Sequence, residues 1–340
     1  MALISETRRM LAALEEVKPS QNFLRDRYVT EVETSTTEYV DIDVMVGSRK
    51  MAAFVNPLGK SKIDQRVDGT TQSIKPPYLK PGRTINAADL QRRFQGEDPF
   101  NPMPLDQKLE LLTLKDLADL RDYVNRREEW MIAKQLTTGA MTLSGEGISA
   151  TITLPMLATH KLANTDLIAN GWDQANSNPL KDFSKIRRVI AKDSGLTATE
   201  VIFGATAWDL FESHTEVKAA LNIWNSMPGQ LTPTAPMVGA VYQGRIKGLD
   251  LWTYDEWYID DQTGAEDPMI SDKKIVVISP ALRAIRKYGA IMDLRSLVAV
   301  PFFPKVWEEE DPSVRYVVGQ SAPMPIIVQV NGFAFAQVQA

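Results

Sequence analysis

Between Gly47 and Asp98 the chain has very few apolar anchors, and from Leu105 it enters a long stretch without glycine or proline. That juxtaposition limits what the chain can fold into. The first segment reads as two extended arms around a polar tip running from Gly59 to Gly69. It is punctuated by Pro57, Pro76, Pro77, Pro81, Pro99, Pro102 and Pro104. So long a segment without a core of its own is either functional or disordered. An isolated two-stranded ribbon is marginal in water, so the projection is expected to rest on something outside its own subunit. The polar residues of the tip, Lys60, Lys62, Asp64, Arg66 and Asp68, are the candidate intersubunit contacts.

The stretch that follows, residues 105–136, carries Leu105, Leu109, Leu112, Leu120, Val124 and Met131 mostly at helical steps, with a polar gap at Asp116. At 1.5 Å per residue it predicts a rod of roughly 48 Å, closed by Gly139. Upstream, Ser5 to Val17 patterns as a short helix with Leu11, Leu14 and Val17 on one side, ended by Pro19. Residues 23–46 alternate as β-structure, most clearly from Tyr39 to Val44. Strands are expected near Met51–Val55 and Thr84–Phe94, and a hairpin over 140–154 turns at Ser144-Gly145-Glu146-Gly147. The Asn-, Asp- and Gly-rich residues 164–180 mark a boundary.

Beyond that boundary the pattern predicts helices at Phe183–Ala191, Ala205–Phe211 and Thr215–Ile223. It predicts strands at Thr199–Phe203, across Val238–Tyr258 and at Lys274–Ile278, a turn at Asp260–Gly264 and a β-rich tail through Pro325–Val330. The fold class is α+β.

Composition excludes several functions. A net charge of −5 argues against a protein that works by neutralising phosphates. With no cysteine there is no disulfide, thiolate metal site or cysteine nucleophile. The first residues lack the apolar region of a signal peptide, and no apolar run approaches the ~20 residues of a membrane span. The expectation is a soluble, intracellular product with no cofactor.

No motif for catalysis emerges. Gly59-Lys60-Ser61 resembles the end of a phosphate loop, but Phe54 stands where the first glycine is required. Gly145-Glu146-Gly147 lacks the third glycine of a dinucleotide fingerprint. His160 and His214 have no metal-ligand partner at helical spacing and read as structural. Glu97-Asp98 and the run Glu308-Glu309-Glu310-Asp311 precede prolines and read as solvated loops. Trp252, Tyr254, Trp257 and Tyr258 read as packing in the core or at an interface. A carbohydrate-active enzyme using the carboxylates and these aromatics is the distant alternative.

One arrangement is specific as a whole. Tyr78-Leu79-Lys80-Pro81-Gly82, then Leu90-Gln91-Arg92-Arg93-Phe94 and Glu97-Asp98-Pro99, stand directly before the long helix. Arg286-Lys287-Tyr288-Gly289-Ala290-Ile291-Met292-Asp293, Pro304-Lys305-Val306-Trp307 and Gln320-Ser321-Ala322-Pro323 follow in the last part. In order and spacing this resembles the major capsid protein of lambda-like tailed phages, the protein E family, over nearly the whole chain.

The resemblance implies the Hong Kong 97-type capsid fold. It assigns residues 1–35 to an N-terminal arm, 36–104 to a strand and extended loop, and 105–180 to a peripheral domain whose spine is the 105–136 helix. It assigns 181–287 to an axial domain and 288–340 to a return to the peripheral domain. It implies self-assembly into hexamers and pentamers of an icosahedral head around double-stranded DNA held without sequence specificity. The implied partners are scaffold, portal, head protease and a decoration protein, with no membrane. The implied location is the virion, reached from the host cytoplasm. Some relatives cross-link a loop lysine to an asparagine; Lys60 or Lys62 and Asn331 would supply those groups here, whereas the lambda-like branch is typically held by the decoration protein. An encapsulin-like cellular shell of the same fold is the runner-up.

Overall fold

The computed structural model describes residues 22–35, 37, 39–44, 70–91, 103–145, 148–224, 234–237, 239–261, 263–293, 296–311 and 313–340. Its axis is the helix Leu105–Thr138, whose 34 residues span about 51 Å at 1.5 Å each. The helix runs uninterrupted because nothing in it removes a backbone donor or favours another conformation. It ends where Gly139 takes a left-handed φ of 68° and donates its N–H to Gln135 O, a conformation a side chain would strain.

Two different cores meet this helix. Along its first half, Leu117, Leu120 and Val124 pack on Ile85, Phe302 and Val317. These partners belong to, or flank, a three-stranded antiparallel sheet of Gly82–Asn86, Val314–Gln320 and Phe303–Glu309. Packing is close here: a Cβ on Gly319 would lie 2.4 Å from the Phe302 ring. Along its second half, Met131, Ile132 and Leu136 join Phe23, Leu24, Met324, Ile326 and Phe333 in the largest core. The apolar stripe is fully buried only from Leu117 onward; Leu105 is exposed.

A seven-stranded mixed sheet lies beside this core. Its order is Lys161–Leu162, Phe333–Gln337, Lys274–Ile278, Glu200–Phe203, Leu249–Tyr254, Ala240–Ile246, Thr234–Met237. Side chains alternate between its faces, as the two-residue period requires. Ile202, Trp252, Tyr254, Val276 and Ile278 face the largest core. Val201, Phe203, Leu251, Ile275 and Val277 face a third core with Trp172, Phe183 and Phe211. That core lies under the helices Pro179–Ser194 and Ala205–Ser213, and the Phe203 and Phe211 rings are 5.1 Å apart.

The predicted spine helix, the 140–154 hairpin, the helices near 183–191, 205–211 and 215–223, the strands at 40–44, 199–203 and 274–278, and the turn at 260–264 are all present. Two expectations change. Residues 23–28 form a helix rather than a strand, because a distant carboxylate holds their first N–H groups. The return strand predicted over 84–94 is Gly82–Asn86, after which Ala87–Gln91 is helical; Asp89 accepts the Asn86 N–H at 3.1 Å and turns the chain. Within residues 164–180, Asn164–Asp166 and Ile168–Asn170 are 3₁₀ turns, and Leu167 and Trp172 are buried in the third core. The predicted 5–17 helix and the strand near 51–55 lie outside the described residues.

Leu120 is 1% exposed and sits mid-helix between two turns of the first core. Leu120→Pro removes a backbone hydrogen bond and clashes with the preceding turn, at about 3 kcal/mol or more, before the lost packing is counted. The variant is expected to be insoluble or to unfold without a cooperative transition. A melt matching the parent's would mean the helix does not organise the fold.

Candidate assembly site

The five tip residues Lys60, Lys62, Asp64, Arg66 and Asp68 lie outside the described residues, as do Glu97 and Asp98. What the structure does describe is how the projection is rooted. Val40–Val44 and Thr70–Ile74 pair antiparallel, from Val40 opposite Ile74 to Val44 opposite Thr70. The chain therefore leaves this pair at Val44 and re-enters it at Thr70, side by side. Val40 is buried, and Ile74 packs against the largest core. The returning chain is pinned further on. Tyr78 OH donates to Gln320 Oε1 at 2.6 Å, and Leu79 exchanges both backbone hydrogen bonds with Ser321. Arg83 donates to Asp116, Asp119 and Tyr123 OH on the long helix at 2.6–2.9 Å. The polar gap at Asp116 is thus a docking point for the projection's base.

The N-terminal chain is rooted by carboxylates. Glu129, fully buried on the long helix, accepts the backbone N–H groups of Leu24 and Arg25 at 2.7 and 2.8 Å and the Tyr254 hydroxyl at 2.8 Å. This caps the Phe23–Tyr28 helix, as an acidic side chain favourably does at a helix start. Glu128, also buried, accepts the Tyr288 hydroxyl at 2.8 Å and lies 3.7 and 3.9 Å from Arg25 and Arg286. Glu200, on the large sheet, takes Arg27 through two nitrogens and Tyr28 through its hydroxyl. Arg27 also sits 4.5 Å over the Trp252 ring.

Burial pushes Glu129 up to about 7, against the opposing pull of its hydrogen bonds, and the nearby charge of Glu256 adds to the rise. Burial raises Glu128 too, opposed by Arg25, Tyr288 and Arg286. The Tyr254 hydroxyl lies 2.8 Å from both Glu129 and Glu256. One hydroxyl proton cannot serve two carboxylates at once, so Glu129 and Glu256 compete for the Tyr254 hydroxyl.

Beside this cluster the surface opens into a groove of about 760 Å³. It is lined by Tyr123 and Trp130 of the long helix, here called its floor, by Pro81, and by Glu256, Trp257 and Ile259. Trp257 and Ile259 are 49% and 68% exposed, so the groove presents apolar surface to solvent.

The groups weighed for chemistry are structural. His160 is buried between Phe333 O at 2.8 Å and Asp193 at 3.0 Å. His214 contacts Ser177 Oγ at 2.9 Å and accepts the Glu216 N–H at the start of the Thr215–Trp224 helix. Glu308 and Glu309 hold Arg315 and Tyr316 on the paired strand. Trp252 and Tyr254 are core residues, whereas Trp257 is half-exposed in the groove. Asn331 is 5% exposed and directs Oδ1 toward the Leu157 N–H at 3.4 Å, a poor position for a cross-linking amide. Among the described residues no group of three or more His, Asp or Glu is placed to hold a metal ion. Nor is any described helix long and apolar enough to cross a membrane.

Sequence reading missed Glu128 and Glu129. The signal was available: Glu128 stands four residues after Val124 and three before Met131, on the buried stripe itself.

The family described as phage major capsid protein E matches residues 6–338. The major capsid protein of Enterobacteria phage P21 is 25% identical over 98% of both chains. So is a P21 prophage-derived major head protein of Escherichia coli O6:H1. Among solved structures, a prophage capsid protein of E. coli CFT073 superposes with a TM-score of 0.76 at 22% identity, covering 98% of each chain. The capsid of Ralstonia phage GP4 gives 0.54 at 12% identity, covering 94% of this chain and 92% of that one. The fold is of the Hong Kong 97 type.

Glu129 supplies a pH test. Its folded value of about 7 lies above its ordinary 4.5. The stability its contacts contribute is therefore fully present below pH 4.5 and is lost as pH rises through 7. A difference of that size corresponds to roughly 3 kcal/mol. Glu129→Gln removes the titration, but its NH2 must face one of the two backbone N–H groups that the carboxylate accepts. The variant is expected to melt below the parent at pH 4.5, and the gap is expected to narrow or reverse at pH 8. An equal gap between the two proteins at both pH values would remove Glu129 as the titrating group.

Proposed function

This chain belongs to the phage major capsid protein E family, and on that premise we propose that it builds an icosahedral head from hexamers and pentamers around double-stranded DNA. It is a structural capsid protein, not an enzyme; it assembles with itself into a capsid shell, and its place is the virion capsid. The proposal goes further in three respects. Assembly takes place in the host cytoplasm with a scaffold, a portal and a head protease, and a decoration protein covers the finished head. The chain divides as 1–35, 36–104, 105–180, 181–287 and 288–340 into arm, extended loop, peripheral domain, axial domain and peripheral return. The tip of the loop contacts a neighbouring subunit.

The observation that carries this reading is the rooting of the projection. Two paired strands with Val40 buried and Ile74 packed on the largest core hold both ends of the polar segment side by side, and a segment with so few apolar residues is expected to find its surface on another molecule. The third core around Phe183, Phe203 and Phe211 draws most of its residues from 181–287, with Leu167, Trp172, Leu180, Ala334, Ala336 and Val338 joining from outside that segment. A net charge of −5 also suits a wall that must not grip packed DNA. Family membership favours a phage head over an encapsulin-like compartment. Negative-stain electron microscopy of the expressed chain, alone and with the neighbouring scaffold gene, tests the shell. Shells or polydisperse oligomers are expected, and a compact monomer under every condition would refute the reading.

The loop-tip contact has its own test. Exposed ion pairs contribute about 0–1 kcal/mol each, but the same contact repeats at every subunit. Changing Lys60, Lys62 and Arg66 together to Glu is expected to leave circular dichroism and the subunit's melt nearly unchanged. It is expected to abolish or misdirect assembly, more at low salt than at high salt. Normal particles at every ionic strength would place the tip outside the interface, and loss of folding would place it in a core.

A further inference from the structure

We infer that the groove floored by Tyr123 and Trp130 is the docking site of the chain's own N-terminal segment, residues 5–17, bound as an amphipathic helix. Three observations converge on this occupant. First, the groove is apolar, and the exposure of Trp257 and Ile259 leaves large side chains in contact with water, a cost that an apolar partner would relieve.

Second, the N-terminal chain enters the body at the groove's edge. Leu24 N–H is held by Glu129 at 2.7 Å, and Glu129 directly precedes Trp130 on the floor. The Tyr254 hydroxyl that reaches Glu129 also reaches Glu256 of the groove lining, at 2.8 Å each. From Val17 to Asn22 an extended chain reaches about 17 Å, and Pro19 stops the helix and lets the chain turn.

Third, the dimensions match. From Tyr123 to Trp130 the floor covers roughly 10 Å of helix axis. Met10, Leu11, Leu14 and Val17 occupy the same length on one side of the predicted helix, ready to face a floor of that extent. Arg8, Arg9, Glu15 and Glu16 fall on the opposite side of the predicted helix, where the arginines are available to solvent and the glutamates to Lys80 and Arg126 at the groove's rim. The assignment concerns the subunit itself and stands whether or not the chain builds a shell.

The absence of cysteine makes the test direct. Leu14→Cys is combined in turn with Trp257→Cys and with Ile259→Cys, and with the exposed Lys192→Cys on the Pro179–Ser194 helix as control. Each is treated with a copper–phenanthroline oxidant. The two groove pairs are expected to give a disulfide-closed monomer and the Lys192 pair none. Disulfide-linked dimers from the groove pairs would overturn the same-chain assignment in favour of exchange between copies. No cross-link at either groove position would overturn docking altogether. Trypsin supplies a second measurement that needs no cysteine. In the parent, cleavage after Arg8 and Arg9 is expected to be about tenfold slower than in Leu11→Asp/Leu14→Asp. Equal cleavage rates would overturn the proposal.

Discussion

Two adjacent carboxylates on one helix hold this molecule together. Glu128 and Glu129 follow each other near the middle of the largest core, and successive helix positions point in different directions. Glu129 therefore binds the Phe23–Tyr28 helix and Tyr254 of the seven-stranded sheet. Glu128 binds Tyr288 and lies near Arg25 and Arg286. Tyr288 and Arg286 belong to the strand Ala284–Tyr288, which pairs with Glu31–Thr34 and Pro323–Ile327. Buried charges are costly unless their partners are in place. The arrangement therefore couples the chain's first ordered turn, the small sheet, the large sheet and the long helix. Each can seat correctly only when the others do.

That coupling explains how a body can support extensions that have little core. The base of the projection is tied to the same helix by Arg83 and to the returning strand by Tyr78 and Leu79. The N-terminal chain is tied through backbone N–H groups, so its placement does not depend on the side chains of residues 24 and 25. In both places the extension begins at a fixed point and direction. A segment too polar to fold alone can then be presented reproducibly, which repeated contacts in an assembly require.

What the sequence made legible follows physical lines. The long helix, the 140–154 hairpin and the alternating elements between 183 and 278 were readable because local period and composition decide them. The Phe23–Tyr28 helix was not, because its N–H groups are satisfied by Glu129, more than a hundred residues away in sequence. Neighbouring alternation then suggested a strand. The turn after Asn86 depends on one Asp89 side chain, a signal too small to outweigh a strand-like run. Residues 164–180 read as a boundary because they are rich in Asn, Asp and Gly. Yet Trp172 is buried there, its ring nitrogen donating to Asp182 at 3.0 Å. The tip residues from Lys60 to Asp68 rest on sequence alone. The carboxylates that organise the joint were missed because acidic pairs on a helix are ordinarily solvated.

The placement of charge separates two tasks. Inside the subunit, charges are few, desolvated and individually decisive: Glu128 and Glu200 have fixed partners, and loss of any one partner leaves a buried charge exposed to its full desolvation cost. On the surface, pairs such as Arg283–Glu31 and Arg127–Asp261 are exposed and weak. A subunit that must fold before it assembles, and then join many copies of itself without locking at the first wrong encounter, needs this division. Strong, specific electrostatics belong within the body. Contacts between bodies are better built from small terms that can be made and broken until enough of them act together. The apolar groove beside Glu129 falls between these regimes. It is too open to belong to the core and too apolar to remain bare, and an element of the same chain can cover it without adding a sticky face to the outside of the subunit.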